Sequence, residues 1–216
     1  MWSGWAEGLA DGLETTTGRE LRASLFAMLG YDPVSGRAHA GGGLVSTPMS
    51  RLRDLTAAVL ADAGVPPDQA RDALARVWDA PDPVALAHPL ADLVGLLTLL
   101  RQRGRRIAVA TSDDRGPTDR TLEALGIDAL VDATLCADDG VAGKPAPDMV
   151  VALCARVGVP PARTAVVGDS PADIAMGRAA GAGLVVGVRT GVGSEVDLEA
   201  ADLVLDSVEG LLAAFG

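Results

Sequence analysis

The sequence predicts an α/β fold, a parallel sheet with crossover helices preceded by a small all-helical domain, on three observations. From about residue 88 onward, helical stretches alternate with short β-branched runs, the rhythm of strands joined by helices lying over a sheet. Up to about residue 82 no convincing strand occurs, and apolar residues recur at helical spacing. The 216 residues suffice for one domain of ordinary size plus a smaller one, and a composition 49% hydrophobic and 22% charged belongs to a chain that buries a core.

The elements follow in order. Trp2, Trp5, Leu9 and Leu13 mark a first helix, and Leu21, Leu25, Met28 and Leu29 a second. Leu52, Leu55, Val59 and Leu60 mark a third, and Ala70, Leu74, Val77 and Trp78 a fourth. Gly18, YDPVSG, the triple glycine at 41–43 and GVPP at 64–67 separate them. After DAPDPVALAHP, a helix over 90–103 ends at Gly104 and leads to the strand IAVAT at 107–111. A helix over 117–125 stops at Gly126 before a weak strand near 131–136. The helix PDMVVALCARVG has Pro147 early, Asp148 in its first turn and Gly158 after its end. The strand TAVVGD (164–169), a helix over 171–180 stopped by Gly181, the strand GLVVGV (183–188) and the apolar run DLVL (202–205) complete the core.

Charge and composition remove several functions. A net charge of −11 repels nucleic acid and anionic membrane as main partners, yet a local cation, a metal or a helix N-terminus can still hold an anionic substrate. Cys136 and Cys154 form no C-x-x-C pair and have no histidine nearby, so buried, reduced thiols are expected. No stretch has the ~20 uninterrupted apolar residues of a membrane helix, and no N-terminal run reads as a leader, so the expected compartment is the cytoplasm.

Three polar clusters fall at the C-terminal ends of expected strands or just after them, the edge where open α/β sheets bind ligands. They are Thr111 with Ser112, Asp113 and Asp114; Lys144 with Pro145; and Asp169 with Asp173. A carboxylate directly after AVVG needs a polar partner if buried, and one four residues on can face the same point, which suits magnesium held by few protein oxygens and several waters. Asp173 reads equally well as part of a helix start, Ser170-Pro171-Ala172-Asp173. Alone, Lys144 reads as a solvated loop charge and Thr111 as a strand end; together with the Ser112 and Asp113 amides, the Thr111 hydroxyl can hold phosphate oxygens.

Taken in order, an apolar strand ending in Thr111, then Lys144-Pro145, then GDSPAD with Asp169 and Asp173 resembles the second, third and fourth motifs of the haloacid dehalogenase superfamily, over residues 88–216. Phosphoglycolate phosphatase-like members look most similar. The resemblance implies a Rossmann-like core at 88–216 with a helical cap at 1–87, and magnesium-dependent hydrolysis of a small phosphorylated metabolite. It implies that Thr111 and Lys144 serve catalysis, that Thr111, Ser112, Asp113 and Lys144 bind phosphate, and that Asp169 ligates the metal while Asp173 ligates it or orients its waters.

The family's first motif, D-x-D-x-T, supplies an attacking aspartate that becomes an aspartyl-phosphate and a second that acts as acid and base. It does not precede Thr111. ADGLETT at 10–16 has Leu9 where the nucleophile would stand, and DAPD at 79–82 has the wrong spacing. The nucleophile-bearing core strand is therefore expected to be missing and the chain as given inactive. A start assigned too late is favoured over true loss, because three other motifs are retained. A non-catalytic phosphate- or metabolite-binding protein and a phosphomutase of the same superfamily are the alternatives. GVAGK at 140–144 has Pro145 where a P-loop needs a hydroxyl, GAGLVVG at 181–187 runs into a strand, and His39 and His88 have no nucleophile elbow. The acidic segment 195–202 reads as a solvated face.

Overall fold

The computed structural model describes residues 2–215, with backbone alone for Trp2, Ser3 and Leu86. The Trp2 side chain, expected on the first helical stripe, lies outside the described residues. The chain divides into two compact units, Met1–Pro81 and Asp82–Gly216.

In the first unit, α1 (Trp2–Thr17) buries Ala6, Leu9, Ala10 and Leu13, the face that its spacing lays out. Its last turn closes through Gly18, whose φ of 64° is open to glycine at little cost. Glu14 then accepts the Leu21 and Arg22 N–H groups and so satisfies orphan donors at the start of α2 (Arg22–Leu29). Those bonds hold its carboxyl below the usual range.

Two-residue strands β1 (Tyr31–Asp32) and β2 (Arg37–Ala38) form an antiparallel hairpin where a plain breaker was expected. The Asp32 carboxylate accepts the Val34 and Ser35 N–H groups and closes the turn. Beyond them come α3 (Gly43–Ser46), α4 (Met49–Asp62) and α5 (Pro67–Val77). Leu13, Leu21, Leu25, Leu29, Leu52 and Leu60 are essentially inaccessible at the centre of this core. The triple glycine has a packing role: a β-carbon on Gly42 would meet Gly30 Cα at 2.6 Å.

The second unit begins earlier than the 87/88 boundary read from sequence. Its first helix, α6 (Pro83–Leu86), packs on α8 (Arg115–Ala124), and Asp82 pairs with Arg120 on α8. Next come α7 (Leu93–Gln102), β3 (Ala108–Ala110), α8 and β4 (Ala133–Leu135), with β3 and β4 parallel in the register Val109 to Thr134. α9 (Asp148–Val157) ends on the left-handed Gly158. It leads to β5 (Ala165–Gly168), α10 (Pro171–Ala179), β6 (Leu184–Val188), α11 (Glu195–Leu198), β7 (Leu203–Leu205) and α12 (Leu211–Ala214).

β6 lies between β5 and β7, all parallel, and is the most buried strand. Val166 of β5 shares one apolar cluster with Leu135 of β4, Met149 and Leu153 of α9 and Met176 of α10, with Ala110 of β3 packed against it. Among the described residues no ladder joins β3 to β5, and Ala108 at the start of β3 is exposed. The segment at 195–202 is more than a solvated face. Ser194 and Asp197 form a reciprocal cap for α11, which sinks Leu198 against β6. No described helix is long and apolar enough to cross a membrane.

Candidate active site

Thr111 continues β3 by one rung, its N–H donating to Leu135 O at 2.9 Å, so its hydroxyl leaves the C-terminal end of the strand. That hydroxyl accepts the Asp113 N–H at 3.1 Å and donates toward the Asp113 carboxylate at 3.3 Å, with Ser112 in the turn between. The three residues thus form one local turn whose polar groups engage each other. Among the described residues none of them bonds to Lys144, Asp169 or Asp173.

Residues that the sequence did not single out brace this turn. The Arg115 N–H donates to Asp138, and its guanidinium binds the Asp139 carboxylate and Thr134 O. The start of α8 is thereby tied to the loop after β4. The pairing raises the Arg115 pKa and, with the Cys136 N–H, holds Asp139 below the usual carboxylate range. Only the spacing of Arg115 from DD at 138–139 was available in the sequence, and it carries no periodic signal. Cys136 beside them is inaccessible, and burial pushes its thiol up, away from thiolate chemistry.

Lys144 reaches across to α10. Its Nζ lies 2.7 Å from Asp173 Oδ1, with Lys144 only 17% and Asp173 8% exposed in their side chains. Asp173 is also the helix start that its sequence context suggested. Its Oδ2 accepts from the Ser170 N–H and hydroxyl, and its N–H donates back to Ser170 Oγ. The helix-start reading of Asp173 thus holds in the geometry, and the same carboxylate also pairs with Lys144. Gly168 lies directly beneath it, where any β-carbon would overlap the Asp173 side chain.

Asp169 follows β5 and points elsewhere. Its Oδ2 accepts the Val192 N–H at 2.9 Å, and among the described residues its Oδ1 accepts no hydrogen bond. The loop after β6 supplies that donor, and apart from the glycines of TGVGS nothing in its residue types marks it out.

This donor set offers one open carboxylate oxygen on Asp169 and a second carboxylate already shared between Ser170 and Lys144. Among the described residues no three carboxylate, histidine or cysteine groups converge. A magnesium ion at this point would find one free protein oxygen, on Asp169, and would have to keep most of its waters. Chemically, a fixed ammonium, an open carboxylate oxygen and the first turn of α10 share one edge of β5.

Residues 48–181 match the family described as haloacid dehalogenase-like hydrolase. A phosphoglycolate phosphatase of Rhodospirillum rubrum is 37% identical over 125 residues, 58% of this chain and 52% of that protein. The phosphoglycolate phosphatase of Escherichia coli strain K12 is 32% identical over 130 residues, 59% of this chain and 50% of that protein. The chain thus spans about half the length of the curated relatives it matches. A solved structure, a HAD phosphatase from Thermococcus onnurineus, is 20% identical with a TM-score of 0.66, covering 98% of this chain and 88% of that one, a likeness of fold.

Proposed function

Since the chain belongs to the haloacid dehalogenase-like hydrolase family, we propose that its second unit is the phosphate- and cation-binding part of a magnesium-dependent phosphoric monoester hydrolase. The substrate class is a small phosphorylated metabolite, and the helical unit serves as the cap that excludes water. The observation that carries this reading is the Lys144 amine, on the loop between β4 and α9, seated on Asp173 in the first turn of α10, four residues after Asp169.

Each residue has a role that its position supports. Asp169 would hold the cation through Oδ1. Asp173 fixes the Lys144 amine and would orient the cation's waters. Lys144 neutralises phosphate charge, and its placement is set before substrate arrives, so no reorganisation is needed as charge develops. Thr111 and the Asp113 amide release each other to take phosphate oxygens, with Ser112 between them. Magnesium, when bound, supplies positive charge to the phosphoryl oxygens.

A second reading, a protein that binds phosphate without turning it over, is favoured by one feature: D-x-D-x-T occurs nowhere in the 216 residues. The two share a binding test and differ in turnover. Titration of the chain with inorganic phosphate in the presence of magnesium should show binding that Lys144→Ala weakens about ten- to a hundredfold, as loss of a charged hydrogen-bonding partner does. Unchanged binding in Lys144→Ala and Thr111→Ala would refute the site. Release of phosphate from an aryl phosphate should be absent in the chain as given; substantial release would assign a nucleophile other than the motif aspartate.

A further inference from the structure

Three glycines crowd the two site carboxylates, and two of them, Gly191 and Gly193, sit on the loop after β6 far from Asp169 in sequence. Their reason for being glycine is not backbone conformation, because neither adopts a left-handed φ. It is approach. A β-carbon on Gly191 would overlap Asp169 Oδ2, Cγ and Cβ, and one on Gly193 would overlap Asp169 O. The loop backbone therefore lies directly on the residue. Between the glycines, the Val192 N–H donates to Asp169 Oδ2 and the Gly193 N–H donates to Asp169 O, both at 2.9 Å.

We infer that the segment Gly191–Val192–Gly193 is a positioning element for Asp169: it occupies one carboxylate oxygen and fixes the rotamer, so that Oδ1 alone is presented to a divalent cation. This inference rests on the cation reading of Asp169 given above. One bond holds the residue's backbone and the other its side chain, so the carboxylate cannot turn to offer both oxygens or swing away. A singly presented oxygen matches the demand of a small hard cation for near-ideal octahedral geometry, in which a bidentate carboxylate fits poorly.

The clamp is itself anchored at both ends. Before it, the Arg189 N–H donates to Leu205 O, and its guanidinium pairs with Glu195 and Asp206, each at 2.8 Å. After it, Ser194 and Asp197 cap α11, whose Leu198 is inaccessible against Gly187 of β6. The Val192 side chain is 39% exposed. What position 192 contributes to the site is thus its amide, whereas positions 191 and 193 contribute the absence of a side chain.

The experiment uses the full chain and Mn2+ as probe, with free Mn2+ counted by electron paramagnetic resonance. Three variants are compared: Asp169→Asn, Gly191→Ala and Gly183→Ala. Gly183 is a fair control because its β-carbon would also meet a severe overlap, at Ala162 O, away from Asp169. Asp169→Asn is expected to abolish binding. Gly191→Ala should weaken it about ten- to a hundredfold, the usual effect of losing the hydrogen-bonding partner of a metal ligand. Gly183→Ala should lower the melting temperature yet leave Mn2+ affinity as in the parent. A measurement independent of variant folding is the Val192 amide resonance of the parent chain during Mg2+ titration, which should shift with the binding midpoint. Absence of Mn2+ binding in the parent would overturn the cation reading and the clamp together. Binding lost in Asp169→Asn but unchanged in folded Gly191→Ala, or a Val192 amide indifferent to Mg2+, would overturn the clamp alone.

Discussion

Lys144→Met is the substitution with the most informative consequence, because it removes a cation from a carboxylate that has little water to fall back on. At 2.7 Å and an effective dielectric near 20, the pair attracts by about 6 kcal/mol before desolvation is counted. Desolvating both ions offsets much of that, so the pair's net worth is small. Breaking it is another matter. Asp173 would keep the Ser170 N–H and hydroxyl on Oδ2 but leave Oδ1 bare at 8% exposure. Fully buried pairs cost about 3–5 kcal/mol when broken; with Lys144 at 17% exposure, water can enter part of its place, and about 2–4 kcal/mol is expected. Asp173→Asn should cost less, since the Lys144 amine can turn toward solvent. In the double variant the stranded charge is gone, so the two changes should couple by about 1.5 kcal/mol or more. The probe must be chosen with care: Trp2, Trp5, Trp78 and Tyr31 all lie in the first unit, so indole fluorescence does not follow this site. Hydrogen exchange of the α10 amides, with far-UV circular dichroism in urea, reads it directly. A coupling energy near zero would refute the claim that Lys144 and Asp173 form a desolvated pair.

Acid should destabilise the second unit through two carboxylates with lowered pKa values. The Arg115 guanidinium and Cys136 N–H hold Asp139 down; burial would raise Asp132, but the Ile107 N–H with Arg101 and Arg106 outweighs it. Both contribute stability that is present above the unfolded value of about 3.9 and is lost as pH falls through the lower folded value. The circular-dichroism melt should therefore fall below about pH 4, less steeply in Asp139→Asn, and an unaltered pH slope in that variant would refute the assignment. In the first unit, Gly42→Ala drives a β-carbon against Gly30 backbone rather than a movable side chain. A loss of about 3 kcal/mol or more is expected in urea unfolding followed by tryptophan fluorescence, and a loss under about 1 kcal/mol would show that the contact yields. The edge of β3 that no described strand pairs should make the chain self-associate with rising concentration, and Ala108→Lys, at an exposed position on β3, should suppress it. A single monomer peak at all concentrations in size-exclusion chromatography would contradict this.

Much of the fold was legible because it is written in local terms. Gly104, Gly126, Gly158 and Gly181 punctuate the second unit in the sequence, and each adopts the left-handed φ that ends a helix. Runs such as AVVG and LVVGV have the length and β-branching of buried parallel strands, and they are β5 and β6. The hairpin at 31–38 was not legible, since two-residue strands have no period to detect. Nor was α6, a four-residue helix placed by its packing on α8. The same division runs through the site. Asp169, Asp173, Lys144 and Thr111 stand out because polar residues after apolar strands are conspicuous. Val192 acts through its amide and Gly191 through a missing side chain, and neither property has a residue-type signature. Arg115 and Asp139 meet across 24 positions, which pattern reading along one element cannot connect.

The geometry gives Lys144 a structural task that precedes any chemistry. Among the described residues, Thr111 is carried by β3, which pairs with β4 alone, whereas Asp169 and Asp173 follow β5, which pairs with β6 alone. No ladder fixes these two strand groups in mutual register among the described residues. Apolar packing through α9 holds them together, with Leu135 and Val166 in one cluster, but such contacts are non-directional and tolerate small sliding. A directional restraint must come from polar groups. Among the described residues, Lys144 to Asp173 is the salt bridge that joins the β3–β4 side to the β5–β6–β7 side near the site. Its far end is rigid, because the Ser170 cap fixes Asp173 and Gly168 lets that side chain lie flat on β5. A lysine that only neutralised phosphate could sit on any reachable loop and stay hydrated. Lys144 is instead largely desolvated and bonded before an anion arrives, so the residue proposed to meet the phosphate charge also sets how far the two halves of the site stand apart.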